Sequence, residues 1–265
     1  MSEMKFATIG GITLHYRREG TKAGVPLVFI NSLGTDLRIW DRLASDFAGR
    51  FAVVRYDKRG HGLSDCPPEP YAIGDHSSDL MNLLAYLGLE QVILVGISVG
   101  GVIALNLAIR QPERVRALVL SDTAAKIGTA DYWNERINAI REKGMDHLAE
   151  VILSRWFTPE FSVQRPADYQ GYRNMLVRTP VAGYTGTCAA IRDADLRDDV
   201  GAIRAKTLVL CGAEDSATPP GLVRGLADAL PAGRFELIEK AGHLPCVEQP
   251  EAMAAEIDRF LREIP

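Results

Sequence analysis

The sequence predicts an α/β fold: a mostly parallel central sheet with helices on both faces and a helical lid inserted after the sixth strand. Three observations predict it. Continuous apolar runs of the kind buried on both faces alternate with segments of helical periodicity, which implies parallel strands joined by right-handed crossovers. Between about 124 and 199 the strand pattern stops and aromatic residues sit among helix formers. The 265 residues, 47% hydrophobic and 24% charged, can bury one large core of ordinary composition.

The elements follow in order. Phe6-Ala7-Thr8-Ile9 and Ile12-Thr13-Leu14-His15-Tyr16, split by Gly10-Gly11, read as a hairpin with His15 on its surface. Pro26-Leu27-Val28-Phe29-Ile30 reads as a buried strand that ends in the turn formers Asn31-Ser32-Leu33-Gly34. A second buried strand, Phe51-Ala52-Val53-Val54-Arg55-Tyr56, runs into the charged, glycine-rich loop Asp57-Lys58-Arg59-Gly60-His61-Gly62-Leu63-Ser64. His61 in that loop is expected to brace backbone carbonyls. Leu80, Leu83, Leu84 and Leu87 recur on one face and predict a helix over 75–87, with His76 solvated or capping in its first turn and Gly88 as a stop.

The run Val92-Ile93-Leu94-Val95 leads into a helix reaching about Arg110, and Ala117-Leu118-Val119-Leu120 gives one more strand. Beyond it, Tyr132, Trp133, Trp156, Phe157, Phe161, Tyr169, Tyr172 and Tyr184, broken by Gly144, Pro159, Pro166 and Pro180, predict three or four helices over the C-terminal edge of the sheet. The chain thus divides into a core of 1–123 and 200–265 and a cap of 124–199. Strands return at 206–212 and 234–238, with helices opening at Pro219-Pro220 and over 251–261.

A net charge of −4 without a basic stripe argues against a nucleic-acid partner. No run approaches the length of a membrane span, and Met1-Ser2-Glu3-Met4-Lys5 has no apolar leader, so a cytoplasmic location is expected. Cys66, Cys188, Cys211 and Cys246 show no paired spacing and read as reduced, mostly packed thiols.

The chemistry gathers on Gly96-Ile97-Ser98-Val99-Gly100. Strand, sharp turn and helix in succession hold a serine in a strained position where a base can reach it. Ser98 needs that base, and of five histidines only His147 and His243 follow it. His147 has the spacing of a surface residue inside a cap helix, whereas His243 follows the last strand on the same sheet edge. Asp215, also just past a strand, is placed to orient the imidazole, with Asp122 as the rival acid. The order Ser98, Asp215, His243 is that of the α/β-hydrolase triad, which makes the fold class an α/β-hydrolase. The oxyanion hole is expected to combine the N–H of Val99 with that of Leu33, from the loop after the Leu27–Ile30 strand.

With those residues in view, the chain resembles the 3-oxoadipate enol-lactonases of the β-ketoadipate pathway of aromatic catabolism, over nearly its whole length. The resemblance is carried by Asn31-Ser32-Leu33-Gly34-Thr35-Asp36, by Tyr56-Asp57-Lys58-Arg59-Gly60-His61-Gly62, by Thr123-Ala124-Ala125-Lys126-Ile127-Gly128-Thr129, and by Trp133 with Arg136. It continues in Arg155-Trp156-Phe157-Thr158-Pro159, Cys188-Ala189-Ala190-Ile191-Arg192-Asp193-Ala194-Asp195 and Glu214-Asp215-Ser216-Ala217-Thr218-Pro219-Pro220. Ile97 departs from it, since these enzymes more often carry leucine there.

The resemblance implies a small anionic lactone substrate, hydrolysed through an acyl-enzyme without metal or organic cofactor. It also implies a cation in the cap for the substrate carboxylate, and Arg136, three residues beyond Trp133 on one helix face, is the candidate, with Arg155, Arg178 and Arg192 as the alternatives. The competing readings on this fold are a C–C bond hydrolase, a perhydrolase, an acyltransferase or another carboxylesterase. A ligand-binding receptor without turnover is the competitor from a different class. Oligomeric state is not readable from the sequence.

Overall fold

The computed structural model describes residues 4–21 and 24–264. Residues 1–3, on which part of the N-terminal reading falls, lie outside the described residues.

Eight strands form the sheet: β1 (Lys5–Ile9), β2 (Ile12–Gly20), β3 (Leu27–Ile30), β4 (Ala52–Tyr56), β5 (Val92–Ile97), β6 (Val115–Ser121), β7 (Lys206–Gly212) and β8 (Gly233–Ile238). Their order across the sheet is β1-β2-β4-β3-β5-β6-β7-β8. The N-terminal hairpin pairs antiparallel, β2 pairs antiparallel with β4, and every other pairing is parallel. The strands β3, β4 and β5 are buried at every position. Their side chains have neighbours above and below, so the sequence, Arg55 apart, runs apolar without alternation.

Helices cover both faces of the sheet. They are α1 (Asp41–Ala48), α2 (Ile73–Tyr86), α3 (Val99–Arg110), α9 (Pro220–Ala229) and α11 (Pro250–Leu261), with the short α10 (Pro245–Glu248) before the last. In α2, Leu80, Leu83 and Leu84 are buried, as their spacing demands. The amphipathic α1, which buries Leu43, Ala44 and Phe47, adds a helix that the sequence reading did not include.

Between β6 and β7 the chain makes α4 (Ala130–Lys143), α5 (Met145–Trp156), α6 (Pro159–Gln164), α7 (Pro166–Val177) and α8 (Val181–Asp193), five helices where three or four were expected. Pro159 and Pro166 each open a helix, α6 and α7, at the first position, where a missing N–H costs nothing. The two crossings between cap and core are tied to each other. Leu196 N–H donates to Ala125 O at 2.9 Å, and Lys126 Nζ donates to Arg192 O at 2.6 Å and Ala194 O at 2.9 Å.

On the other side the cap sits directly on the loop after β4. A Cβ on Gly60 would stand 2.4 Å from the Gly183 Cα, so backbone meets backbone where α8 crosses the core.

Two histidines differ from their expected places. His15 is not a surface residue: it is buried, with Nδ1 2.7 Å from Asp57 Oδ2. His76 is neither solvated nor capping, but buried beneath α8 with Nε2 3.4 Å from the Thr187 hydroxyl. His61 braces the backbone, with Nδ1 3.1 Å from Arg59 O and Nε2 accepting the Gly34 N–H at 3.0 Å.

Candidate active site

Strand β5 ends at Ile97 and α3 starts at Val99, so Ser98 makes the turn alone. Its φ of 56° and ψ of −123° lie where non-glycine residues are strained, at a cost on the order of 1–3 kcal/mol. The surroundings impose that conformation. Ser98 N–H donates to Ser121 O at 3.0 Å, and the Ser98 carbonyl accepts the Gly101 N–H at 2.9 Å and the Thr123 hydroxyl at 2.7 Å. A Cβ on Gly96 would stand 2.4 Å from the Gly100 carbonyl oxygen, and one on Gly100 would stand 2.1 Å from that of Ile30. The backbone itself therefore excludes side chains on both flanks, and Ser98 opens onto a cavity of about 210 Å³ under the cap.

The loops after the next strands bring Asp215 and His243 together. Asp215 follows β7 in a tight turn whose Ala217 and Thr218 N–H groups donate to Oδ1 at 2.7 and 3.1 Å. Its Oδ2 accepts the Thr218 hydroxyl at 2.6 Å and lies 2.9 Å from His243 Nδ1. Burial would raise this carboxyl, but His243 and the Thr218 hydrogen bonds outweigh burial and hold it below the usual carboxylate range. An ionised Asp215 makes Nδ1 the protonated nitrogen and leaves Nε2 able to accept a proton.

The His243 loop is tied to the cap through Glu248, a residue the sequence reading passed over. Glu248 Oε2 accepts the Gly242 N–H at 2.6 Å, while Oε1 accepts the Thr158 N–H at 2.9 Å and the Thr158 hydroxyl at 2.7 Å. Leu244 N–H adds a bond to Trp156 O at 3.2 Å.

The rival acid is engaged elsewhere. Asp122 directly follows β6 and is fully buried, and it accepts the Gly212 N–H at 2.8 Å and the Ser121 hydroxyl. Burial first, and then the Asp215 charge, push its carboxyl well above the usual range. Asp122, Cys211 and Asp215 could in geometry surround a cation. Their polar atoms are directed instead to Gly212, Ser121, Thr218 and His243.

The cavity brings together Ser98, His243, Leu33, Trp133 and Arg136. Val99 is the first residue of α3, so its N–H has no intrahelical acceptor and is available next to Ser98. Trp133 is buried, its indole N–H held by Ile127 O at 2.7 Å. Arg136 packs on Trp133, Tyr132 and Tyr184, its Cζ 5.6, 5.7 and 5.9 Å from the three ring centres. It donates to the Tyr132 hydroxyl at 3.1 Å.

Arg155, an alternative to Arg136 in the sequence reading, donates to the same hydroxyl at 2.8 Å and also lines the cavity. Neither arginine has a carboxylate partner among the described residues. His147 lies exposed on α5, away from the cavity's lining.

Among the described residues no helix is long and apolar enough to cross a membrane. The alpha/beta hydrolase fold family matches residues 25–250. The chain is 34% identical to 3-oxoadipate enol-lactonase 2 of Acinetobacter baylyi over 96% of its length and 95% of that protein's. It is 33% identical to 3-oxoadipate enol-lactonase 1 of the same organism over the same shares. The crystal structure of the enol-lactonase from Burkholderia xenovorans superposes with a TM-score of 0.94 at 35% identity, covering 97% of this chain and 100% of that one. A strained serine elbow, the strand order and these likenesses lead to one assignment: the chain belongs to the α/β-hydrolase family, in the group that holds the 3-oxoadipate enol-lactonases.

Proposed function

We propose that this enzyme hydrolyses the enol-lactone of 3-oxoadipate to 3-oxoadipate in the catabolism of aromatic compounds, with Ser98 as nucleophile, His243 as base and Asp215 as its orienting acid. The observation that carries the substrate class is the unneutralised pair Arg136 and Arg155, which opens onto the same cavity as Ser98. Two guanidiniums without a carboxylate are a receptor for an anion. The ligand on this reading is a small anionic lactone and not a nucleic acid, and the relatives named above support the choice of lactone.

Ser98 Oγ attacks the lactone carbonyl while His243 Nε2 takes its proton. The carbonyl oxygen becomes an oxyanion, held by the N–H groups of Val99 and Leu33. Collapse breaks the ring C–O bond, and the leaving enolate takes the proton from His243. Because an enolate is a better leaving group than a simple alkoxide, this step needs little further assistance. The enol then tautomerises to the ketone, which disfavours return.

Water, deprotonated by His243, attacks the acyl-enzyme, and the second collapse returns the proton to Ser98 Oγ and frees a dicarboxylate. Protein residues, substrate and water balance each step. The cap over 124–199 acts as the lid that keeps bulk water from the acyl-enzyme and supplies the anion receptor.

The test is loss of enol-lactone absorbance, with the substrate generated in situ, for the wild type and Ser98→Ala. Activity in the wild type and only a trace in the variant is expected, with a fluorophosphonate labelling the wild type alone. Turnover by Ser98→Ala would reject the nucleophile. A wild type active on neutral esters and inert on the enol-lactone would reject the substrate.

A further inference from the structure

The Ser32–Leu33 peptide is gripped on one side and open on the other. Its carbonyl oxygen accepts Lys58 Nζ at 2.6 Å, the Thr35 hydroxyl at 2.9 Å and the Thr35 N–H at 3.3 Å. In a trans peptide the C=O and the following N–H point in opposite directions. The Leu33 N–H therefore faces away from the lysine, and among the described residues it has no hydrogen-bond partner. Ser32 and Leu33 both line the Ser98 cavity.

Lys58 is itself unusual, an ammonium only 1% exposed and with no carboxylate at ion-pairing distance among the described residues. A buried, unpaired charge is costly, and an apolar chain of the same length would stabilise the fold better. Stability therefore does not account for it. The effect on the peptide does, because a charged donor on a carbonyl oxygen fixes the amide plane and polarises the N–H at its other end.

We propose that Lys58 is a positioning residue for the oxyanion hole: held on the Ser32 carbonyl, its ammonium orients and sharpens the Leu33 N–H that meets the oxyanion formed at Ser98. The proposal rests on the reading of Ser98 as nucleophile. The groups around Lys58 are Asp57 and Asp36, which favour its charge, and His61 and His76, which burial and the lysine both keep neutral. Burial outweighs the two carboxylates and lowers the ammonium to about 7.

The experiment compares the wild type with Lys58→Met in the full-length protein. It follows kcat and KM on the enol-lactone and on p-nitrophenyl acetate, together with stability in urea. It also follows affinity for an alkylboronic acid, which becomes a tetrahedral anion on the serine, and for adipate, a ground-state dicarboxylate.

The expected result is a fall in kcat of about tenfold or more, short of the roughly 10²–10³ that losing an oxyanion donor itself costs. KM and adipate affinity stay within about twofold, boronate affinity falls by the same factor as kcat, and stability holds or rises. Thr35→Val removes a neutral donor from the same carbonyl and is expected to shift kcat and boronate affinity together by a smaller factor, which keeps the proposal testable should Lys58→Met not fold.

Unchanged kcat, or equal losses for boronate and adipate, would overturn the role of Lys58 while leaving Ser98 in place. Activity in Ser98→Ala would overturn both readings at once.

Discussion

Asp122 and Asp215 bring a carboxylate oxygen each to within 4.8 Å of one another, on neighbouring strand ends, yet only Asp215 reaches His243. Two carboxyls so close and so dry do not both ionise freely. Asp215 keeps its charge through His243 and Thr218, and Asp122 rises out of the usual range behind it. An amide at 122 still offers an acceptor oxygen to the Gly212 N–H, whereas at 215 it replaces a carboxylate with a group that can present the wrong partner to His243 Nδ1–H.

We therefore expect Asp215→Asn to lower kcat by roughly 10³–10⁴ and Asp122→Asn to lower it about tenfold or less, as for one perturbed hydrogen bond. Steady-state kinetics on both variants checks this, and equal losses would move the orienting acid to β6.

The elbow makes a structural prediction. Gly100→Ala puts a methyl 2.1 Å from the Ile30 carbonyl oxygen, and the obstacle is backbone that cannot swing aside. Such overpacking costs about 1–3 kcal/mol or more, and it pushes β3 away from α3 at the point where the Ser32–Leu33 loop begins. A lower urea midpoint together with lost activity is expected. An unchanged midpoint would show that the elbow tolerates a side chain there.

What the sequence made legible is local or positional. The glycines at 96 and 100 answer to a turn that closes within five residues, and Ser98, Asp215 and His243 each stand one loop beyond an apolar run. What it hid depends on partners far along the chain. His15 is buried because Asp57, 42 residues away, meets its ring, and His76 because Thr187, 111 residues away, lies over it.

Arg155 meets Arg136 only because Tyr132 turns between two cap helices, and a lysine inside a glycine-rich loop gives no local sign that Ser32 will receive it. The elbow's flanking apolar runs could locate Ser98, but hydrophobic periodicity carries no information about which cations lack partners.

Lys58 also predicts a pH dependence of stability. Its ammonium titrates near 7 in the folded protein against 10.5 for a free lysine. Between those values the unfolded chain binds more protons than the native one, so this residue makes stability rise with pH across that window. Below about 7 both states are protonated and the native state bears the full cost of the buried charge. Lys58→Met removes the term. Its stability advantage over the wild type is thus expected to be largest below pH 7 and to shrink toward pH 10, measured as the difference in unfolding free energy from urea melts. A difference independent of pH would mean that the ammonium keeps its free value in the native protein and is not desolvated there.

The last prediction concerns specificity. With a net charge of −4 the protein cannot gather an anionic substrate from a distance, so preference for a carboxylate has to arise at close range inside the cavity. Arg136 and Arg155 are the cations there, and they share one hydroxyl in place of a carboxylate. A guanidinium offers two parallel donors to a carboxylate, which an ammonium cannot reproduce. Arg136→Lys is therefore expected to weaken kcat/KM for the enol-lactone, and Arg136→Ala to weaken it further, by about 2–4 kcal/mol of transition-state binding.

Because Arg155 converges on the same Tyr132, Arg155→Ala is expected to cost less alone and the double variant less than the sum, as coupled residues do. Hydrolysis of a neutral ester of similar size should change little in all four variants, since it has no carboxylate to lose. Parallel losses on both substrates would mean that the arginines only support the cap. A loss confined to the Arg155→Ala variant would move the carboxylate from α4 to α5.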